Sequence, residues 1–313
     1  MALKITAASE PITVEHLRLV IYGQPGAGKT SLACTASRPL LLDFDRGAHR
    51  AVSRCDTVQI GSWSDVEAIT ADDLAPYDTV IADTAGRLAE VLTADIIRRN
   101  AKHGNGGALS QQGWGQLKVR FAAFTALLAT SGVDLVIVSH MAEKQDGEIT
   151  KQRLDVPGSS AAEIVKSADA IGRLTIKDGA GFLDFNPTEH GFGKNPARIE
   201  PQRVPLSDAP EFGGFLAGVI AETKAKLNAD SEAQREVREE HEWFVAHLPK
   251  ITDAAGMNEI GPRAKAAGPA VLALMKDRAK ELGLRTEKGV AGYLDPEPPV
   301  DLPPGFAPEE EAA

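Results

Sequence analysis

The stretch Gly23-Gln24-Pro25-Gly26-Ala27-Gly28-Lys29-Thr30-Ser31 constrains this chain more than any other. It follows an apolar run, residues 17–22, that reads as a buried strand, and it opens a segment, residues 29–36, with helical character. Gly-x4-Gly-Lys-Thr between a strand and a helix is the complete phosphate-loop pattern. The glycines let backbone N–H groups turn inward around an anion, and the helix N-terminus adds a favourable dipole. All nine residues are thus candidates for nucleotide contact. Lys29 is expected to reach the β- and γ-phosphates, and the Thr30 hydroxyl to ligate Mg²⁺.

The rest of the first two-thirds alternates apolar runs with helical stretches. Strands are expected at 17–22, 39–44, 57–60, 79–82, 134–139, 170–176 and 181–186, with helices at 29–36, 63–71, 87–99 and 115–130. Near-continuous apolar strands separated by helices predict an α/β fold with a mainly parallel sheet covered on both faces. The last two strands have no helix between them, so an antiparallel hairpin is expected at the sheet edge. After Pro210 the chain becomes rich in Ala, Glu, Lys and Leu, which predicts a small helical region broken at Pro249, Gly256, Pro262 and Pro269. Residues 289–313 hold six prolines, six acids and no Lys or Arg, the composition of a disordered acidic tail. The expected organisation is an N-terminal arm (1–14), a phosphate-loop core (15–210), a helical region (211–288) and the tail (289–313).

A phosphate-loop enzyme needs a carboxylate at the end of a neighbouring strand for the magnesium shell, and Asp83 after Val80-Ile81-Ala82 supplies one. Hydrolysis further requires a group that orients or deprotonates water. Asp43 and Asp45 stand two residues apart at the end of the second strand, on one face by strand periodicity, and Asp45 is the chosen base. The strand at 134–139 leads into His140, a candidate sensor beside the terminal phosphate.

The formal net charge of −10 argues against a surface that coats nucleic acid. Its distribution is uneven. From residue 96 to 133 there is no Asp or Glu, while Arg98, Arg99, Lys102, Lys118 and Arg120 are basic and Trp114 is available to stack. An acid-free basic segment in an acidic protein is where a polyanion would bind. No run approaches the ~20 apolar residues of a membrane span, and the first residues lack the apolar core of a signal peptide, so a cytoplasmic protein with no membrane partner is expected. Cys34 and Cys55 form no CxxC and read as small core residues, not as a zinc site or a disulfide.

Together these motifs resemble the AAA-type, RecA-like P-loop ATPases of bacteriophages, including the single-strand annealing ATPases related to a shortened RecA core. The resemblance covers residues 17–201. "LLLDFDRG" resembles the strand that carries the family's catalytic carboxylate, with Asp45 in place of Glu; "DTVIADTAG" resembles the magnesium strand; "DLVIVSHMAEKQDGE" resembles the sensor strand, with His140 in place of Gln. The resemblance implies ATP and Mg²⁺ as cofactors, single-stranded DNA as a partner, a homo-oligomer in a filament or ring, and contact with a single-strand binding or other replication protein. It places DNA-binding loops at "RRNAKHGNGGALSQQGWGQLK" and "EKQDGEITKQRLDVPGSSAAE", and basic residues acting on a neighbouring subunit at Lys194 or Arg198.

Two other readings stand beside this one. "DTAGR" also occurs in signal-recognition-type GTPases, but guanine selection would need Asn- or Thr-Lys-x-Asp where the chain has Glu143-Lys144-Gln145-Asp146. A partner-driven ATPase, such as a helicase loader or packaging motor, would use the C-terminal helices for docking.

Overall fold

The computed structural model describes residues 10–147, 149–157 and 160–297. Among them the strands are β1 (Arg18–Gly23), β2 (Pro39–Asp43), β3 (Asp56–Gln59), β4 (Thr79–Asp83), β5 (Gly104–Asn105), β6 (Ala108–Leu109), β7 (Asp134–Asp146), β8 (Ile149–Leu154), β9 (Ala170–Lys177), β10 (Ala180–Asp184) and β11 (Gln202–Val204). The α-helices are α1 (Lys29–Ala33), α2 (Trp63–Glu67), α3 (Ala71–Leu74), α4 (Ala85–Arg99), α5 (Gln111–Thr130), α6 (Ser160–Ser167), α7 (Phe215–His247), α8 (Ala254–Ala267) and α9 (Pro269–Glu281).

The main sheet runs β11-β10-β9-β1-β7-β4-β2-β3, with β8 paired to β7. From β9 to β3 every neighbouring pair is parallel. The hairpin predicted at the edge exists as antiparallel β9 and β10, and β11 extends that edge by one more strand. This is the expected α/β fold with a mainly parallel sheet.

Strand periodicity divides the apolar residues between two layers. Val20, Tyr22, Leu40, Leu42, Val80, Ala82, Leu135 and Ile137 face a cluster containing Leu88 and Leu92 of α4 and Leu117 and Phe121 of α5. Their neighbours Leu19, Ile21, Leu41, Ile81, Val136 and Val138 face the opposite layer, with Leu32 of α1 and Leu216, Val219 and Ile220 of α7. Burying a side chain of this size contributes about 1.5–3 kcal/mol, so both helical layers are needed to stabilise the sheet.

Several boundaries depart from the sequence reading. The chain divides into two compact units, Thr13–Ala229 and a second made of the described residues before Thr13 together with those from Asp230 onward, so the core extends beyond residue 210 into α7. The reason is the apolar face Leu216-Val219-Ile220, which packs with the sheet and cannot be separated from it. The predicted helix 63–71 is two short helices, because Thr70 caps a new one by accepting a hydrogen bond from the Asp73 N–H. Gly256 and Pro262 lie inside α8, whereas Pro269 starts α9, where its missing N–H costs nothing.

Both chain ends differ from the expected arm and tail. The Val14 N–H donates to Asn228 Oδ1 at 2.8 Å; residues 1–9 of the arm lie outside the described residues. Disorder was expected from residue 289, yet 289–297 is tied down. Asn258 exchanges hydrogen bonds with the Tyr293 backbone at 2.7 and 2.8 Å, and the Ala254 N–H donates to Asp295 Oδ1 at 2.7 Å. Composition alone does not reveal such side-chain-to-backbone bonds. The remainder of the predicted tail, residues 298–313, lies outside the described residues.

Candidate active site

The carboxyl ends of β1, β4 and β2 lie beside the middle of β7 around residues 138–140, and the loop after β1 leads directly into α1. Gly28 at the start of α1 has φ 86°, a left-handed conformation that glycine adopts without strain and that delivers the following N–H groups to one side. A cavity of about 470 Å³ lies against this loop, lined by Pro25, Gly26, Gly28, Lys29, Thr30, Ser31, Asp45, Asp83 and His140 from the predicted set.

Register explains why these residues meet. β7 is inserted between β1 and β4, pairing Gly23 with His140 on one side and Val138 with Asp83 on the other. His140 is thereby brought to the phosphate loop. Its Nδ1 lies 3.3 Å from Lys29 Nζ, which donates because an ammonium has only donors. Lys29 also donates to the carbonyls of Gly23 at 3.0 Å and Gln24 at 2.7 Å. Lys29 is buried, and that burial lowers its pKa from the usual lysine range to about 8, against the opposing pull of Asp83. Burial, then the neighbouring Lys29 charge, lowers the His140 pKa as well, which favours the neutral imidazole.

Asp83 is buried at the end of β4 and accepts a hydrogen bond from the Thr30 hydroxyl on Oδ2. Its other oxygen, Oδ1, is buried and has no hydrogen-bond partner among the described residues. Burial raises its carboxyl pKa, the Thr30 bond opposes, and nearby Asp43 adds to the rise. A buried carboxylate oxygen without a donor, next to a hydroxyl, is a donor set that suits a hard divalent cation. Thr30 and Asp83 are thus the residues that would hold Mg²⁺.

The two carboxylates of "DFD" have different duties. Asp43 is fully buried and accepts from the backbone N–H groups of Gly47 at 3.0 Å and Ala48 at 2.9 Å, which closes the loop after β2. Asp45 instead lines the cavity. It is paired to Arg50 at 2.9 Å and to Arg87 at 3.3 Å. Strand alternation does not carry both carboxylates into the site, since β2 ends at Asp43. Arg50 and Arg87 were absent from the predicted set; "DRGAHR" and "DTAGR" display them, but only the fold turns both toward Asp45.

The predicted polyanion segment is largely engaged within the protein. Asp95 of α4 is buried and forms ion pairs with Arg98, with Arg99 at 2.6 Å and with Arg120 at 2.7 Å. Glu67 holds Arg99 at 2.5 Å and Arg120 at 2.9 Å. Lys118 pairs with Glu163 at 3.2 Å. The segment is acid-free in sequence, but its acids come from α2, from α6 and from one residue before the segment begins. Trp114 is half-buried against the core on the α4 and α5 side, so it packs and does not stand out as a stacking platform. Lys102 is exposed. Lys194 donates to the Ala168 carbonyl at 2.5 Å, while the Arg198 side chain is exposed.

The AAA domain family AAA_24 matches residues 15–197. The chain belongs to this family. Its AAA domain contains the whole site described above, and the protein is an ATP-hydrolysing P-loop enzyme, which sets aside the GTPase reading. No curated protein matches it. Among solved structures it is similar to the KaiC-like protein PH0186 from the archaeon Pyrococcus horikoshii OT3, at 9% identity and a TM-score of 0.35 over 61% of this chain and 85% of that one. It is also similar to an ATPase of the type III secretion system of pathogenic bacteria, at 12% identity and a TM-score of 0.32 over 51% of this chain and 52% of the other.

Proposed function

We propose that this AAA domain ATPase is phage-encoded, uses Mg²⁺ with ATP, and binds single-stranded DNA in recombination or replication, as annealing ATPases do. The observation that carries the reading is the continuity of β7. That strand passes His140, in contact with Lys29, and runs on without a break into an antiparallel hairpin with β8. In the hairpin Lys144 is directly opposite Lys151, and Arg153, opposite Ala142, shares their face. Two cations at directly opposite positions offer a phosphate backbone an electrostatic foothold, in a segment of mixed charge where Lys144, Lys151 and Arg153 stand with Glu143, Asp146 and Glu148. The hairpin belongs to the second loop that the family resemblance assigns to DNA; Glu148, Gly158 and Ser159 of that loop lie outside the described residues.

In this reading the site works as follows. Lys29 and the loop N–H groups bind the phosphates, and Thr30 and Asp83 would hold Mg²⁺, which would supply charge neutralisation there. Asp45 accepts the proton of the attacking water. His140 reports the phosphate state along β7 to the hairpin. Arg198, exposed near β11, is the better placed of the two candidates to act on a neighbouring subunit of a ring or filament.

Fluorescence anisotropy with a labelled single-stranded oligonucleotide tests the reading, with a nonhydrolysable ATP analogue and with ADP. Binding that responds to the nucleotide is expected. Replacing Lys144 and Lys151 with alanine is expected to flatten the slope of log affinity against log salt by about 1.4, at ~0.7 per phosphate contact. If the purified protein binds no single-stranded DNA in any nucleotide state, the partner-driven ATPase replaces this reading.

A further inference from the structure

Each oxygen of Asp45 is engaged by an arginine, which restricts its approach to a water molecule. In this structure Oδ2 accepts from Arg50 and Oδ1 from Arg87. The two arginines are not equivalent. Arg50 lines the phosphate-loop cavity with Lys29, whereas Arg87 is anchored on the first turn of α4 by Glu90 at 2.6 Å. An anion entering the cavity therefore meets Arg50 and not Arg87.

We propose that Arg50 is a γ-phosphate-binding residue acting within its own chain, and that it exchanges partners. Without nucleotide it latches Asp45; with a triphosphate bound it moves to the terminal phosphate and releases one carboxylate oxygen toward the attacking water. Arg87 stays on the other oxygen and positions the carboxylate. The water oxygen then bonds to the γ-phosphorus, the bond from that phosphorus to the bridging oxygen breaks with its electron pair going to ADP, and the water proton passes to Asp45. Once phosphate leaves, Arg50 returns to its latch.

Local geometry supports a mobile role. The Arg50 side chain is 64% exposed, against 24% for Asp45, so the arginine is free to swing while the carboxylate is held. Its guanidinium folds back over Gly47, where a β-carbon would stand 2.3 Å from Nη2. A side chain at position 47 would displace the end of Arg50 from this position. The backbone under it is fixed, because Asp43 grips the N–H groups of Gly47 and Ala48 and the Arg50 N–H donates to the Gly47 carbonyl at 2.9 Å. A rigid turn carrying a long, exposed cation suits a side chain that changes partners between two fixed anions. A phosphate offers a guanidinium the same bidentate pairing as a carboxylate, with more charge.

This inference rests on Asp45 being the base, and its test reads binding alone, so it stands or falls separately from turnover and from DNA binding. Affinities for the β,γ-imido analogue of ATP and for ADP are measured by calorimetry on the full chain and three variants: Asp45→Asn, Arg50→Ala and the double variant. Arg50→Ala is expected to lower the preference for triphosphate over diphosphate by about tenfold or more, the loss of one charge-assisted contact. Asp45→Asn is expected to tighten triphosphate binding several-fold by removing the latch, and to do nothing in the Arg50→Ala background. If Arg50→Ala keeps the parent's preference, or if Asp45→Asn tightens binding equally without Arg50, the exchange is overturned. Arg50→Lys, which keeps the charge, is expected to retain part of the preference and guards against a folding defect in the alanine variant.

Discussion

The Nζ of Lys29 lies 3.3 Å from Nδ1 of His140, which joins the phosphate loop to the strand that continues into the hairpin with β8. The buried ammonium, with its pKa lowered to about 8, must be charged to hold phosphate. A bound phosphate raises that pKa, so affinity is complete below pH 8 and falls as pH rises above it, toward the pKa of the complex. Calorimetry at pH 8.5 in buffers of different ionisation enthalpy is expected to show proton uptake on ATP binding. The same uptake in Lys29→Arg, whose guanidinium stays charged at that pH, would assign it to another group.

Lys29→Ala is expected to abolish productive ATP binding while the sheet remains folded. Far-ultraviolet circular dichroism alongside an ATP-binding titration separates the two effects. Normal turnover in this variant would remove Lys29 from the site.

Asp43 and Asp45 are expected to respond differently to amide replacement. Asp45→Asn binds ATP at least as tightly as the parent and slows hydrolysis by at least about 100-fold, the usual worth of a general base. Asp43→Asn weakens the loop that carries Gly47 and Ala48, with a loss of roughly 1–3 kcal/mol in stability that a urea titration would detect. Equal turnover in Asp45→Asn and the parent would point to a different group orienting the water.

Asp95 organises three arginines, so Asp95→Ala is expected to cost roughly 1.5–3 kcal/mol and lower the melting temperature. Arg98, Arg99 and Arg120 would then be released from their buried partner. Their joint replacement in the parent is expected to reduce stability with little change in the salt dependence of DNA binding. A flattened slope at unchanged stability would return this segment to the DNA interface.

Trp114→Ala is expected to cost on the order of 1–3 kcal/mol in unfolding free energy, because a half-buried indole leaves the α4 and α5 layer incompletely packed. Oligonucleotide affinity of the folded fraction is expected to stay at the parent level.

What the sequence determined by itself is local. Gly23 through Ser31 specified a phosphate loop because its chemistry depends on contiguous residues and on one strand and one helix. Near-continuous apolar runs such as 17–22 and 79–82 specified buried strands, because a sheet covered on both faces takes apolar residues at successive positions. Asp83 was legible for the same reason, as the first acid after such a run. The hairpin beyond His140 was not, since β8, Ile-Thr-Lys-Gln-Arg-Leu, has only its end residues apolar. Tertiary structure decided which charges are spent on the protein itself. Asp95 and Glu67 reach Arg99 and Arg120 across helices, so a segment without acids in sequence is neutralised in space. It also decided which of two adjacent carboxylates faces the nucleotide cavity. That choice depends on the turn after β2 and on Arg50 and Arg87, which arrive from opposite sides of Asp45, and charge pairing over such distances is set by chain path and not by spacing.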